Sequence, residues 1–254
     1  MKILTIGDIV GECGIKKLRG ILKNFIQERN IDFVIANGEN SADGMGITES
    51  IFKELLALGI NVITMGNHTW GKKDIFNFIE NKQLLRPANY SEGVLGNGYG
   101  IYDCGNKKIA VINLIGRTDM NVLSENPFLI SDKILKSIDG KADLIFVDFH
   151  AEATAEKKAL AYYLDGRVTA IFGTHTHVQT NDEQILPKGT GFITDIGMTG
   201  PKDSVIGMSI EASVKRFVTS IPEKYKVAEG EPIFNGCIFE VDENNKINNM
   251  VTVR

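Results

Sequence analysis

Four histidines occur in this chain of 254 residues, and two of them, His175 and His177, are separated only by Thr176 in the stretch GTHTH at 173–177. Residues i and i+2 of a strand or strand exit point the same way, so the pair is expected to converge on one point, with Thr174 and Thr176 facing elsewhere. The other two, His68 in GNHTW and His150 in FVDFH, also lie at the end of an apolar run. So do Asp8 after KILTIG, Glu39 and Asn40 in NGEN, and Asn67 beside His68. Mixed imidazole and carboxylate donors suit iron, manganese and zinc. Three histidines with Asp8, Glu39 and one or two asparagines give donors enough for two ions, whereas a lone structural zinc needs four and favours cysteine. The alternative is a cluster of polar groups that satisfy one another without an ion.

These residues need elements to carry them to one place. KILTIG (2–7), DFVIAN (32–37) and NVITMG (61–66) read as buried strands, and helical spacing is predicted over 15–30, 49–59 and 73–81. Strand–helix–strand units favour a parallel sheet covered on both faces. Farther on, 100–116 reads as a hairpin and 131–138 as a helix capped by Ser131. Strands are expected at 143–150, 167–173 and 192–197, with helices at 154–164 and 210–218 and a closing hairpin at 235–253. The candidate donors thus sit at the C-terminal ends of strands, the edge where sites assemble in parallel sheets. Gly7, Gly38, Gly66 and Gly173 flank them, which allows close approach of backbone to an occupant. No repeat or composition break divides the sequence, so a single domain over 1–254 is expected.

Composition narrows the classes. With 43% hydrophobic and 24% charged residues and a net charge of −4, the chain reads as a soluble enzyme rather than a protein built to coat nucleic acid. Three widely spaced cysteines, Cys13, Cys104 and Cys237, form neither a disulfide framework nor a zinc ribbon. The N-terminal apolar run is interrupted by Gly7 and Asp8, and no run reaches the roughly 18 residues of a membrane helix. A cytoplasmic protein is expected.

Taken in order, GD, GEN, GNHTW, FH and GTHTH resemble the calcineurin-type metallophosphoesterase signature, written D-x-H, G-D, G-N-H-[DE], H and G-H-x-H. Within that superfamily the chain is similar, from end to end, to the bacterial YmdB family of metal-dependent phosphodiesterases. Val10 stands where most of the superfamily has a histidine, Glu39 replaces the usual bridging aspartate, and Thr69 replaces an acidic residue; these departures are those of the YmdB family. The resemblance implies an α/β fold, a four-layer αββα sandwich, and a two-metal centre of divalent or trivalent ions, iron or manganese. It also implies hydrolysis of 2′,3′-cyclic and 3′,5′-cyclic nucleotides.

Carried onto this sequence, the family pattern makes Asp8, Glu39, Asn40, Asn67, His150, His175 and His177 metal ligands. Glu39 is the bridge. Asn67, His150 and His175 join it around one ion, and Asp8, Asn40 and His177 around the other. His68 stays unligated and acts as general acid while a hydroxide held between the ions attacks phosphorus. Arg117 and Thr199 are weaker candidates for the pocket wall, and Trp70 is expected to pack. The expected partner is a small cyclic nucleotide or other phosphodiester, with no membrane; RNA is not indicated by the acidic balance, and homo-oligomerisation is open. A phosphomonoesterase or RNA nuclease on the same scaffold, or a regulator that binds nucleotide without turnover, are the competing readings.

Overall fold

The computed structural model describes residues 1–224 and 226–254. Its elements run β1 Lys2–Ile6, β2 Asp8–Ile9, α1 Gly11–Arg29, β3 Phe33–Asn37, α2 Glu49–Ala57, β4 Val62–Thr64, a 3-10 turn Lys73–Asn77 and β5 Leu84–Leu85. They continue with β6 Tyr99–Cys104, β7 Lys107–Ile115, α3 Pro127–Ser137, β8 Leu144–His150, α4 Thr154–Leu164 and β9 Ala170–Thr174. Short strands β10 Gln184–Ile185, β11 Gly191–Ile193 and β12 Met198–Pro201 precede α5 Ile210–Thr219; β13 Pro232–Ile233, β14 Gly236–Val241 and β15 Ile247–Val253 follow it.

Two six-stranded sheets form, in the orders β15-β14-β1-β3-β4-β5 and β10-β11-β9-β8-β7-β6, and a small third sheet pairs β12 with β13 and β2. The strands from β1 to β5 in the first sheet are parallel, as are β7, β8, β9 and β11 in the second. The sheets face each other across a core that includes Ile3, Phe33, Ile35 and Phe239 from one side and Val111, Phe146 and Phe172 from the other. Phe146 and Phe239 meet edge-to-face across it, with ring centroids 5.7 Å apart; such a pair adds about 0.5–1.5 kcal/mol beyond area burial. On the outer face of the first sheet, Ile15, Leu18 and Leu22 of α1 and Phe52 and Leu55 of α2 are buried. Ile130 and Ile134 of α3 and Leu160 and Leu164 of α4 cover the second. The result is the expected four-layer αββα sandwich. Among the described residues no helix is long and apolar enough to cross a membrane.

Three helical elements differ from expectation, and the strand expected at 192–197 ends at Ile193. α1 begins at Gly11 rather than Ile15, and inside this first stretch Gly14 lies so close to β12 that a Cβ there would stand 2.2 Å from the Thr199 carbonyl oxygen. Glycine is a poor helix former, so its spacing gives no helical signal, yet only glycine fits. The helix predicted at 73–81 is a single 3-10 turn. Its Asp74 is occupied accepting from the Glu49 N–H at 2.7 Å, and Phe78 turns inward to stack on Phe52. α3 starts at Pro127, capped by Asn126 rather than Ser131. Proline at the first helical position follows the usual preference, and Ser131 is a buried residue bonded to the Phe128 carbonyl.

Candidate metal centre

Every expected donor is brought to one edge, where the parallel strands of both sheets end. The two sheets contribute different chemistry. Asp8, Glu39, Asn40 and Asn67 follow or extend strands of the first sheet and the small sheet beside it, whereas His150, His175 and His177 come from β8 and β9 of the second.

Around His150, Nε2 lies 3.1 Å from Glu39 Oε1, 2.9 Å from Asn67 Oδ1 and 3.0 Å from His175 Nδ1. Ligand atoms of Glu39, His150 and His175 all fall within 4.8 Å of one another. Beside them, His177 Nε2 lies 3.6 Å from Asp8 Oδ1 and 3.0 Å from Asn40 Nδ2. Glu39 Oε1 also accepts from Asn40 Nδ2 at 3.2 Å, so this carboxylate stands between the two groups.

The expected convergence of His175 and His177 is met differently from the sequence argument. β9 stops at Thr174, and both histidines have left-handed backbone, φ 98° and 64°. They point at adjacent groups rather than at one point. Such conformations cost roughly 1–3 kcal/mol each and collect at functional sites. Thr174 and Thr176 do face elsewhere: Thr174 Oγ1 contacts His150 Nδ1, and Thr176 bonds Asp195.

Each inward-facing ring has its other nitrogen beside an oxygen, by hydrogen bond for His150 and His177 and at ion-pair distance for His175. His150 Nδ1 lies 2.9 Å from Thr174 Oγ1, which itself donates to Asp148 at 2.7 Å. His177 Nδ1 lies 2.8 Å from the Ile206 carbonyl, and His175 Nε2 lies 3.2 Å from Glu152 Oε2. Fixing the outward nitrogen decides which nitrogen faces a cation.

The electrostatics match. Burial would raise the Asp8 carboxyl, but His177 and His150 outweigh it and hold it far below the usual range. Glu39 is likewise held at about 2 against its burial, chiefly by His150. Burial lowers His177, but Asp8 dominates and carries it up to about 9; burial and the neighbouring His150 push His175 down to about 3. Asp148, buried beneath His150, rises to about 6 because of its desolvation.

Two observations speak to whether these residues fit cations. Asp8 Oδ1 is buried with no hydrogen-bond partner among the described residues, an orphaned acceptor aimed at the cluster. A Cβ on Gly66 would lie 2.3 Å from His150 Nε2 and 2.4 Å from Glu39 Oε2, so the pit exists only because residue 66 has no side chain. The donors fit. The other flanking glycines make their close approach to protein rather than to an occupant; a Cβ at Gly7 would meet the Gly197 carbonyl.

His68 stands at the mouth. Its main-chain N–H donates to Glu39 Oε2 at 3.0 Å and its Nδ1 lies 2.7 Å from Asn40 Oδ1. Among the described residues its Nε2 makes no hydrogen bond. Trp70 packs, stacked between Phe76 and Tyr90. Arg117 is exposed and its main-chain N–H bonds Glu156, while Thr199 is fully buried and bonded to the Asn235 carbonyl; Thr199 is therefore no part of a pocket wall.

Several supporting residues lie outside the expected set: Asp148, Glu152, and the fully buried pair of Lys157 and Asp195, 2.7 Å apart. Two carried a signal. Asp148 interrupts the apolar strand LIFVDFH, and Lys157 falls on the apolar face of α4 with Leu160 and Leu164; buried charges require partners.

A family model described as YmdB-like protein matches residues 4–253. A 2′,3′-cyclic-nucleotide 2′-phosphodiesterase of Bacillus subtilis (strain 168) is 47% identical over 247 residues, covering 97% of this chain and 93% of that protein. The crystal structure of a hypothetical protein from Thermus thermophilus superposes with a TM-score of 0.94 at 38% identity, covering 100% of this chain and 98% of that one. A crystal structure described as a novel phosphatase from Mycoplasma pneumoniae gives 0.94 at 37% identity, covering 100% and 92%.

Proposed function

The chain belongs to the YmdB-like family, and from that membership we propose that it is a metal-dependent phosphodiesterase that opens cyclic nucleotides, 2′,3′-cyclic and also 3′,5′-cyclic monophosphates. The name of the Bacillus subtilis relative supports the substrate, and the αββα architecture of calcineurin-like metallophosphoesterases supports the reaction class. The whole of 1–254 acts as one domain, and its three unpaired cysteines suit the cytoplasm. The observation that carries the reading is the buried Asp8 Oδ1, which has no hydrogen-bond partner among the described residues and faces inward imidazoles in a pit that a Cβ at Gly66 would fill.

Glu39, Asn67, His150 and His175 would hold one cation, and Asp8, Asn40 and His177 the other, with Glu39 shared. Iron and manganese suit this mixture of imidazole, carboxylate and amide oxygen. When bound, the pair supplies Lewis-acid chemistry, activating water at neutral pH and offsetting phosphate charge. Asn40 turns Nδ2 toward Glu39 and His177 and Oδ1 toward His68; Oδ1 has two lone pairs, so it can hold the His68 Nδ1–H and also take a cation. That bond orients His68 so that Nε2 faces the substrate. As the bond from water oxygen to phosphorus forms and the bond from phosphorus to one ribose oxygen breaks, the departing oxygen takes the electron pair and receives the Nε2 proton, while the proton shed by the attacking water passes to solvent, from which His68 regains its own. The diester becomes a monoester at the cost of one water.

The test is elemental analysis of protein purified without added metal, coupled to assays on 2′,3′-cyclic AMP, 3′,5′-cyclic AMP, an aryl phosphomonoester and single-stranded RNA. Monophosphate should be released from the cyclic substrates, lost on chelation and restored by manganese. Faster turnover of the monoester or the RNA would overturn the reading, as would cyclic nucleotide bound and returned unchanged.

A further inference from the structure

Of the three outward tethers, those of His150 and His177 are a hydroxyl and a carbonyl, both neutral. The third is a carboxylate. Glu152 Oε2 sits 3.2 Å from His175 Nε2, while His175 Nδ1 faces His150 Nε2 at 3.0 Å and lies with Glu39 in the ligand cluster. Glu152 follows β8 by two residues, on the short link into α4, so the strand that delivers His150 also sets this carboxylate behind His175. Its side chain is 50% exposed, and His175 is the group it engages.

We propose that Glu152 is a positioning residue for His175: by accepting the Nε2–H it fixes the tautomer with its lone pair on Nδ1, turns that nitrogen inward and strengthens it as a ligand. A carboxylate behind a metal-bound imidazole raises the basicity of the ligand and locks the ring, and its loss typically costs about 10–100-fold in metal affinity. The consequence is asymmetric. His175 belongs to the group of Glu39, Asn67 and His150, so Glu152 strengthens that cation site and leaves the one at Asp8, Asn40 and His177 untouched. This inference rests on the two-cation reading above.

The experiment compares wild type with Glu152→Ala, Glu152→Gln and Glu152→Asp. Metal-free protein is titrated with manganese by calorimetry, and the histidine ring nitrogens of the metal-free protein are observed by long-range ¹H–¹⁵N NMR. In wild type, His175 should show the proton on Nε2. In Glu152→Ala that tautomer should give way to a mixture, and one of two binding events should weaken by about 10–100-fold while the other keeps its affinity. Glu152→Gln retains an acceptor without charge and should fall between; Glu152→Asp should recover part of the loss. Because the side chain is half exposed, the thermal midpoint of the metal-free protein should stay unchanged, which separates positioning from folding. Unchanged tautomer and unchanged affinity for both ions in Glu152→Ala would overturn the proposal. A wild type that binds no manganese would instead overturn the two-cation reading.

Discussion

Asp195 grips Thr176, the residue between the two histidines of GTHTH, through both its main-chain N–H at 3.1 Å and its hydroxyl at 2.8 Å, with a single carboxylate oxygen. That same oxygen accepts from Lys157 Nζ at 2.7 Å, and its mate accepts from the Gly197 N–H at 2.9 Å. Left-handed backbone on either side of Thr176 has to be held by something, and this buried carboxylate is what holds it. Lys157→Met leaves Asp195 without its counterion in a fully buried position, where desolvation already raises its pKa. Removing one partner of a buried pair costs about 3–5 kcal/mol. Denaturant unfolding of the metal-free variant should show a loss of that size, and calorimetry should show weaker manganese binding. A loss under about 1 kcal/mol would mean that the pair does not carry this load.

His68→Ala should keep both cations, since no donor is removed, and should lose turnover on substrates whose leaving oxygen must be protonated. A positioned acid is worth about 10²–10⁴-fold. Activated aryl diesters, which leave without a proton, should suffer much less. Equal losses on 2′,3′-cyclic AMP and on bis(p-nitrophenyl) phosphate would remove His68 from the acid role.

Two glycine substitutions should move in opposite directions. Gly66→Ala puts a methyl into the space held by His150 and Glu39, so metal content by elemental analysis should fall below that of wild type and activity with it. Gly20→Ala, on the exposed face of α1 with nothing within 4 Å of the added Cβ, should stabilise the protein by about 0.5–1 kcal/mol through helix propensity alone. Both are read by thermal unfolding alongside metal analysis.

Acid sensitivity should have a component outside the candidate ligand set. Burial would raise the Asp182 carboxyl, but bonds from Thr194 and Thr180 outweigh it and hold its pKa below the ordinary value. A depressed folded pKa contributes stability that is complete above the unfolded pKa, near 4, and is lost as pH falls through the lower folded value. The stability advantage of wild type over Asp182→Asn should therefore be constant from pH 7 to about 5 and shrink below about 4. A gap that widens on acidification would contradict this.

Much of the fold was legible because parallel strands flanked by helices leave a pattern of apolar runs and amphipathic stretches. The candidate donors were legible because scarce, chemically distinct residues recur at the ends of those runs. What the sequence concealed is what depends on tertiary approach. Gly14 and Gly66 look like breakers or spacers, and their role appears only when the Thr199 carbonyl and the His150 ring are seen against them. The 3-10 turn at 73–77 has a helical apolar pattern, which Asp74 and Phe78 override by serving α2 instead. Glu152 could not be found by spacing, because its partner His175 follows a different strand.

The division of donors between the sheets has one more consequence. Oxygen ligands ride on the first sheet and the small sheet beside it and nitrogen ligands on the second, so neither side alone possesses a coordination sphere of mixed character. Cations seated between them would fasten the halves together as a clasp does. The activity would then serve as a gauge of how truly the inter-sheet core around Phe146 and Phe239 is aligned, and a repacking mutation buried well away from the edge would register there as a change in metal retention.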